Sequence, residues 1–267
     1  MYDLHVHSLF SNDSYPSATM ENMCDTAISK GLKGICFTDH MDIDYPTNDE
    51  IFDFNDYTHS LNEIFEKFRG KLRIYKGVEL GLQPHLSEEN KIISSNPNID
   101  FVLGSIHVVN KKELYKGDFL GNDSDHKGIL NYFDALKKCL YSFDDFDSLG
   151  HMDGVRRYLN SGEKAFSYNK YKEELYEILK TLISMGKGIE INTSGTRYGL
   201  SEFHPLIDIL NLYKSLGGEI ITIGSDAHRP DDIGYEFQNA LSLLKEIGYK
   251  YYCIFKERKP IYIKIDQ

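Results

Sequence analysis

The sequence predicts an α/β protein in which seven strand–helix units close, or nearly close, a parallel barrel. Short apolar runs alternate with longer helical patterns along the chain, and 267 residues is a usual length for one such barrel. No internal repeat, low-complexity tract or Pro/Gly/Ser-rich linker interrupts this rhythm, so one domain spanning residues 1–267 is expected.

The expected strands are Tyr2–Val6, Gly34–Thr38, Arg73–Glu79, Asp100–Ile106, Asp147–Gly150, Gly188–Asn192 and Glu219–Gly224. Helical patterns lie between them, with recognisable ends. Met20–Lys30 stops at Gly31; Tyr57–Arg69 follows Asp56 and stops at Gly70; Tyr168–Met185 follows Ser167 and stops at Gly186. Pro205–Leu216 runs into Gly217 and Gly218, and Asn239–Ile247 into Gly248. Ser or Asp before a helix accepts its unpaired N–H groups, and Gly after it takes the left-handed turn. Leu114–Lys127 is polar and rich in Gly and Asp, and reads as a long loop over the mouth of a site. A strand at Tyr251–Phe255 and an apolar tail, Pro260–Ile265, finish the chain.

Composition narrows the function. A formal charge of -11 disfavours nucleic acid as a partner, because such binding relies on Lys and Arg. No run approaches the roughly 18 apolar residues of a membrane span, and MYDLHVH lacks the apolar core of a signal peptide, so a cytoplasmic protein is expected. Cys24, Cys36, Cys139 and Cys253 form no CxxC pair and read as buried, reduced thiols. Neither a phosphate-binding glycine loop nor a GxSxG elbow is present, which leaves covalent serine catalysis without support.

Parallel barrels build their sites at the C-terminal ends of their strands. Those ends here carry His5 and His7, Asp39 and His40, Glu79, His107, His151, and Asp226 with His228. The sixth instead ends in Asn192-Thr193-Ser194-Gly195-Thr196-Arg197. Imidazole and carboxylate are the donors of divalent first-row metals, and a carboxylate can bridge two ions. An isolated HxH would be weak evidence; the ordered set at six strand ends is specific.

The motifs His5-Val6-His7-Ser8, Thr38-Asp39-His40, Glu79, Gly104-Ser105-Ile106-His107, Gly150-His151-Met152-Asp153 and Ser225-Asp226-Ala227-His228 resemble the polymerase-and-histidinol-phosphatase (PHP) superfamily over essentially the whole chain. Within it the sequence looks like the monofunctional histidinol-phosphate phosphatases, through its length, the segment Gly150–Tyr158 and the Arg197 loop. The resemblance implies a distorted (β/α)7 TIM-like barrel with three divalent ions, Zn, Mn or Fe. One would be held by His5, His7, Glu79 and Asp226; a second by bridging Glu79 with His107 and His151; a third by His40 and His228 with Asp13. It implies hydrolysis of a small phosphorylated substrate, L-histidinol phosphate, in histidine biosynthesis. Another phosphate ester, or a non-catalytic metal-binding module, are the alternatives.

Phosphate would be held by Arg197, with Arg156 preferred over its neighbour Arg157, which would face solvent. A guanidinium matches phosphate with paired donors. Asp226 and His228 are candidates near the leaving oxygen, although both are expected to be occupied as ligands. Asp39 and Asp153 are expected to orient ligand histidines, and Asp13 reads equally as a turn residue. His59, His85, His126 and His204 are expected to be structural or exposed, and Tyr158 and Tyr198 to flank the substrate or simply pack. Oligomeric state is not legible.

Overall fold

The computed structural model describes residues 1–46, 51–121 and 123–265. Seven parallel strands form the barrel wall: β1 (Tyr2–Val6), β2 (Gly34–Phe37), β3 (Arg73–Gly81), β4 (Phe101–Ser105), β5 (Ser148–Leu149), β6 (Gly188–Asn192) and β7 (Ile221–Gly224). They are hydrogen-bonded in chain order, the arrangement expected of successive right-handed crossovers. Residues just past the strands draw the last to the first. A parallel bridge joins Val6 to Ala227, with His7 N donating to Ala227 O at 2.9 Å and Ala227 N to His5 O at 3.3 Å.

β3 runs two residues beyond Glu79, the end expected from sequence, because a short strand at His40–Met41 pairs with Glu79 and Leu80. Glu79 therefore sits within the wall, opposite His40.

The outer helices are α1 (Met20–Ser29), α2 (Phe54–Lys67), α3 (Ser87–Ser94), α4 (Asp125–Ser142), α5 (Lys172–Ser184), α6 (Ile207–Ser215) and α7 (Phe237–Ile247). Most of them bury apolar stripes at helical spacing, such as Leu175, Ile178, Leu179 and Leu182 of α5. Each such side chain contributes roughly 1.5–3 kcal/mol of burial.

Several expected boundaries are corrected. Asp53, not Asp56, caps α2, accepting from Asn55 N and Asp56 N. Ser167 precedes a 3-10 turn, and α5 begins only at Lys172. α4 is additional to the helices expected, and α3 begins just after His85, where a helix start is expected. The Leu114–Lys127 segment is not all loop: the Ser124 hydroxyl caps α4, which takes in the last three residues, and Leu114, Phe119 and Leu120 are buried. All four cysteines are free and buried, as expected.

A hairpin of β8 (Tyr251–Lys256) and β9 (Lys259–Lys264) covers the opposite, N-terminal end of the barrel. Phe255 packs on Phe101 with ring centroids 5.1 Å apart, and Arg258 pairs with Asp145 and Asp147. This leaves the C-terminal strand ends open. No helix among the described residues is long and apolar enough to cross a membrane.

Asp3 braces the closing seam. Its two oxygens accept N–H groups from His5 and Ser225 on one side and from Gly234 on the other, with the Ser225 hydroxyl added. Both oxygens face N–H donors, so an amide cannot replace the carboxylate without a donor–donor clash. Asp3→Asn should therefore lower stability by about 1–3 kcal/mol in urea unfolding; an unchanged midpoint would contradict the brace.

Candidate metal centre

The side chains at the open end converge on Glu79, which is fully buried. Its two oxygens face different groups. Oε1 lies 3.1 Å from His151 Nε2 and 3.3 Å from His107 Nε2. Oε2 lies 3.2 Å from His5 Nε2, 3.6 Å from His7 Nε2 and 3.0 Å from His40 Nδ1. Asp226 Oδ1 stands opposite, 3.6 Å from His5 Nε2 and 3.3 Å from His7 Nε2. Asp13, at the rim and half exposed, reaches His228 Nε2 at 3.1 Å and His40 Nε2 at 3.8 Å.

These spacings suit shared cations. Two donors each about 2.0–2.2 Å from one ion stand roughly 2.9–3.6 Å apart at octahedral or tetrahedral angles. Among the described residues, His5 Nε2, His7 Nε2, His40 Nδ1, His228 Nε2 and Glu79 Oε2 are buried without a hydrogen-bond partner. Buried polar atoms are rarely left so, and divalent ions shared among them would satisfy all five. The donors form overlapping groups: His5 with His7 and Glu79, Glu79 with His107 and His151, and His7 with His40 and His228. The residues present therefore fit the nitrogen-and-oxygen centre read from the sequence.

Crowding sets the electrostatics of the metal-free protein. Burial opposes ionisation of Glu79, but His5, His107 and His40 outweigh it and hold the carboxyl well below its usual range. Burial likewise opposes a proton on His5, yet Glu79, Glu190 and Asp226 raise it well above the ordinary imidazole value. His107 is pushed up to about 10, Asp42 and Glu79 overcoming its burial. His40 and His228 are also raised against burial, chiefly by Glu79 and Asp13 in the first case and by Asp13 in the second. His7 goes the other way: burial lowers it, and so do His228, stacked on it at 3.9 Å, and His40. Bringing in a cation requires neutral imidazoles.

Outer partners aim the rings. His5 Nδ1 meets Glu190 Oε1 at 2.7 Å, His7 Nδ1 meets Ser11 Oγ at 3.0 Å, and His107 Nδ1 meets Asp42 at 2.9 Å. His228 Nδ1 meets Asp226 O at 3.0 Å. In each case Nδ1 is tied outward and Nε2 is left for the centre. Asp39 works one step back, accepting from the Ser8 and Ser11 hydroxyls. Asp153 does not orient a histidine of the centre; its carboxylate takes His204 Nδ1 at 2.6 Å and Arg156 at 3.0 Å.

Asp42 and Glu190 were not foreseen. Glu190 did leave a signal, a lone acid in the apolar strand Gly-Ile-Glu-Ile-Asn. Two glycines make room for these carboxylates: a Cβ on Gly81 would lie 1.6 Å from Asp42 Oδ1, and one on Gly224 would lie 2.2 Å from Glu190 Oε1. Two residues facing the centre sit in the left-handed region, His151 at φ 23 and Asp226 at φ 54. Such backbone strain in non-glycine residues collects at functional sites.

The arginines differ from expectation. Arg156 is buried, its guanidinium bonded to Asp153, Glu163 and Phe203 O, so it is not free to meet a ligand. The 3-10 turn Gly154–Tyr158 points Arg157 the other way, over the Tyr198 ring at 3.1 Å and near that of Tyr158, so it is not the solvated neighbour expected. Arg197 reaches the rim, but donates to Ser225 O at 2.9 Å and Asp226 O at 2.8 Å, with Asp232 at 3.4 Å. His59 and His85 are exposed, His126 meets Tyr171, and His204 is buried on Asp153, in keeping with structural roles.

The PHP domain model matches residues 3–194, well over half of the chain. The chain belongs to the PHP domain family. Across the PHP domain and beyond it, the chain is 35% identical to a probable histidinol-phosphatase of Clostridium acetobutylicum over 94% of its length and 95% of the relative's. It is 33% identical to a histidinol-phosphatase of Lactococcus lactis, over 96% and 95%. The crystal structure of histidinol phosphate phosphatase from Lactococcus lactis, complexed with zinc, L-histidinol and phosphate, superposes with a TM-score of 0.87 at 31% identity, covering 97% of this chain and 98% of that one. The PHP barrel is thus confirmed as the fold, including β7 and the Asp226–His228 loop beyond the matched segment.

Two outcomes follow from this geometry. Zinc loading of the metal-free protein near pH 7 should expel several protons from the raised histidines, so affinity should climb with pH. Titration calorimetry in two buffers of different ionisation enthalpy would measure the release; identical heats would refute it. Arg156→Ala strands the buried carboxylate of Asp153, with Glu163 losing its partner at the surface, and should cost about 3–5 kcal/mol of stability, read by denaturant unfolding, while leaving bound-metal content intact.

Proposed function

We propose that this protein hydrolyses L-histidinol phosphate to L-histidinol and phosphate with the help of three divalent cations. The observation that carries the reading is Glu79, whose two oxygens face separate sets of histidines, as a bridging carboxylate requires. The choice of substrate is supported by the near-full-length relatives and by what the Lactococcus structure holds. His5, His7, Glu79 and Asp226 would hold one ion, Glu79, His107 and His151 a second, and His40, His228 and Asp13 a third. Such ions supply Lewis-acid polarisation of phosphoryl oxygens and a hydroxide nucleophile near neutral pH.

The protein's own groups do the rest. Arg157 has no acidic partner among the described residues and lies against Tyr198, the residue after Arg197. We assign it the phosphate contact first given to Arg156. Arg197 spends two of its five N–H groups on the carbonyls of Ser225 and Asp226, with Asp232 an ion-pair partner at 3.4 Å, which leaves donors for a phosphoryl oxygen. It therefore serves the substrate and steadies the turn that carries Asp226. Asp226 and His228 remain the groups nearest the proposed reacting centre, held there as ligands rather than as free acids.

The purified protein should release phosphate from L-histidinol phosphate far faster than from p-nitrophenyl phosphate, nucleotides or a phosphotyrosine peptide. Preference for another of these would remove the substrate and keep the reaction class. Arg157→Ala should lower kcat/KM by about 10- to 100-fold, the effect of losing one charge-assisted contact of about 1.5–3 kcal/mol, with metal content unchanged. Arg197→Ala should lower both kcat/KM and the bound metal measured by plasma mass spectrometry. Full metal content in Arg197→Ala would show that it acts on the substrate alone.

A further inference from the structure

Among the buried acids outside the proposed ligand set, Glu190 touches the centre at more than one place. It lies on β6 and is 1% exposed. Oε1 meets His5 Nδ1 at 2.7 Å. Oε2 accepts the main-chain N–H of His151 at 3.0 Å and Asn192 Nδ2 at 3.1 Å. Asn192 Nδ2 in turn approaches Asp226 Oδ2 at 3.4 Å. One carboxylate thus links His5 on β1 with His151 after β5 and, through Asn192, with Asp226 after β7.

We propose that Glu190 is a positioning residue that fixes His5 as an Nε2 donor and holds the strained His151 in place for metal binding. The proposal rests on the metal-dependent reading above.

Two observations support a role beyond folding. Asp3 shows what a purely structural acid looks like here: its oxygens take three main-chain N–H groups and a serine hydroxyl, and no side chain of the centre. Glu190 spends one oxygen on a ring of the centre, in the carboxylate–histidine–metal arrangement that orients a ligand and raises its basicity. The wall is also built around it. With Gly224 replaced by any larger residue, the new Cβ would lie 2.2 Å from Glu190 Oε1 and 2.3 Å from His5 Cβ, so the strand beside Glu190 has no side chain at that point. A glutamine would keep the shape but would turn an N–H₂ toward either the His5 ring or the N–H groups of His151 and Asn192.

The test uses the full-length, metal-free protein and zinc alone, titrated against a chromophoric chelator, with stoichiometry from plasma mass spectrometry. Glu190→Gln should bind its tightest zinc about 10- to 100-fold more weakly than wild type, and cobalt(II) bound in its place should show a shifted visible spectrum. A double-mutant cycle separates positioning from folding. In a His5→Ala background, Glu190→Gln should weaken zinc binding by no more than about 3-fold further, because its effect passes through His5. Wild-type affinity and spectrum in Glu190→Gln, or fully additive losses in the cycle, would overturn the proposal. Should Glu190→Gln not fold, Glu190→Asp keeps the charge but is one methylene too short to span His5 and His151. It should show the same loss, and full zinc affinity in it would also overturn the role. A wild-type protein that binds no zinc would instead sink the metal reading beneath it.

Discussion

Everything at the open end of the barrel answers to the buried carboxylate of Glu79 and the five imidazoles around it. An ionised acid removed from water costs several kcal/mol unless it is paired, and imidazoles packed at these distances cannot all carry protons. The metal-free protein settles this by compromise, with His5, His40 and His107 leaning toward the charged form and His7 forced toward the neutral one. Such a frustrated cluster is a poor way to stabilise a fold. It becomes a good one when cations replace the protons, since each then meets nitrogen lone pairs and a carboxylate that already point at it.

The fold's contribution is to make that convergence independent of chain distance. His5 stands at the start of the sequence and Asp226 near its end, yet barrel closure through Val6 and Ala227 sets them 3.6 Å apart. Asp3 and Ser225 lock the seam two residues before His5 and one before Asp226. Stability and function therefore share one junction, with the carboxylate of Asp3 turned to the wall and that of Asp226 turned to the centre.

Much of this was legible because barrel sites obey position: a strand-end histidine is visible as soon as the strand is. The seven strands and most of the convergent donors followed from that rule. What it could not supply was rotation. Arg156 and Arg157 are adjacent on a 3-10 turn, and nothing in their types says which faces the ion pairs of Asp153 and Glu163 and which the tyrosines. Glu190 was missed because attention to strand ends overlooks a charge inside a strand, and Asp42 because its partner, His107, lies 65 residues away. Helix α4 was obscured by Gly128 and the polar run before it. A Cβ on that glycine would sit 2.1 Å from Leu120 Cδ2, so the loop packs onto the helix at the position that disguises it.

The arginine that did reach the rim changes how the two halves of the site relate. A guanidinium devoted only to phosphate would leave the metal centre untouched when removed. Arg197 instead holds the carbonyls of Ser225 and Asp226, at the turn where Asp226 is kept in the left-handed region with φ 54. A residue in that conformation persists only while its surroundings impose it. In the phosphate contact proposed for it, Arg197 would act only from this braced position. Its attachment to the turn would thus tie that contact to the place of the Asp226 carboxylate, and with it to the ion proposed between Asp226, His5, His7 and Glu79.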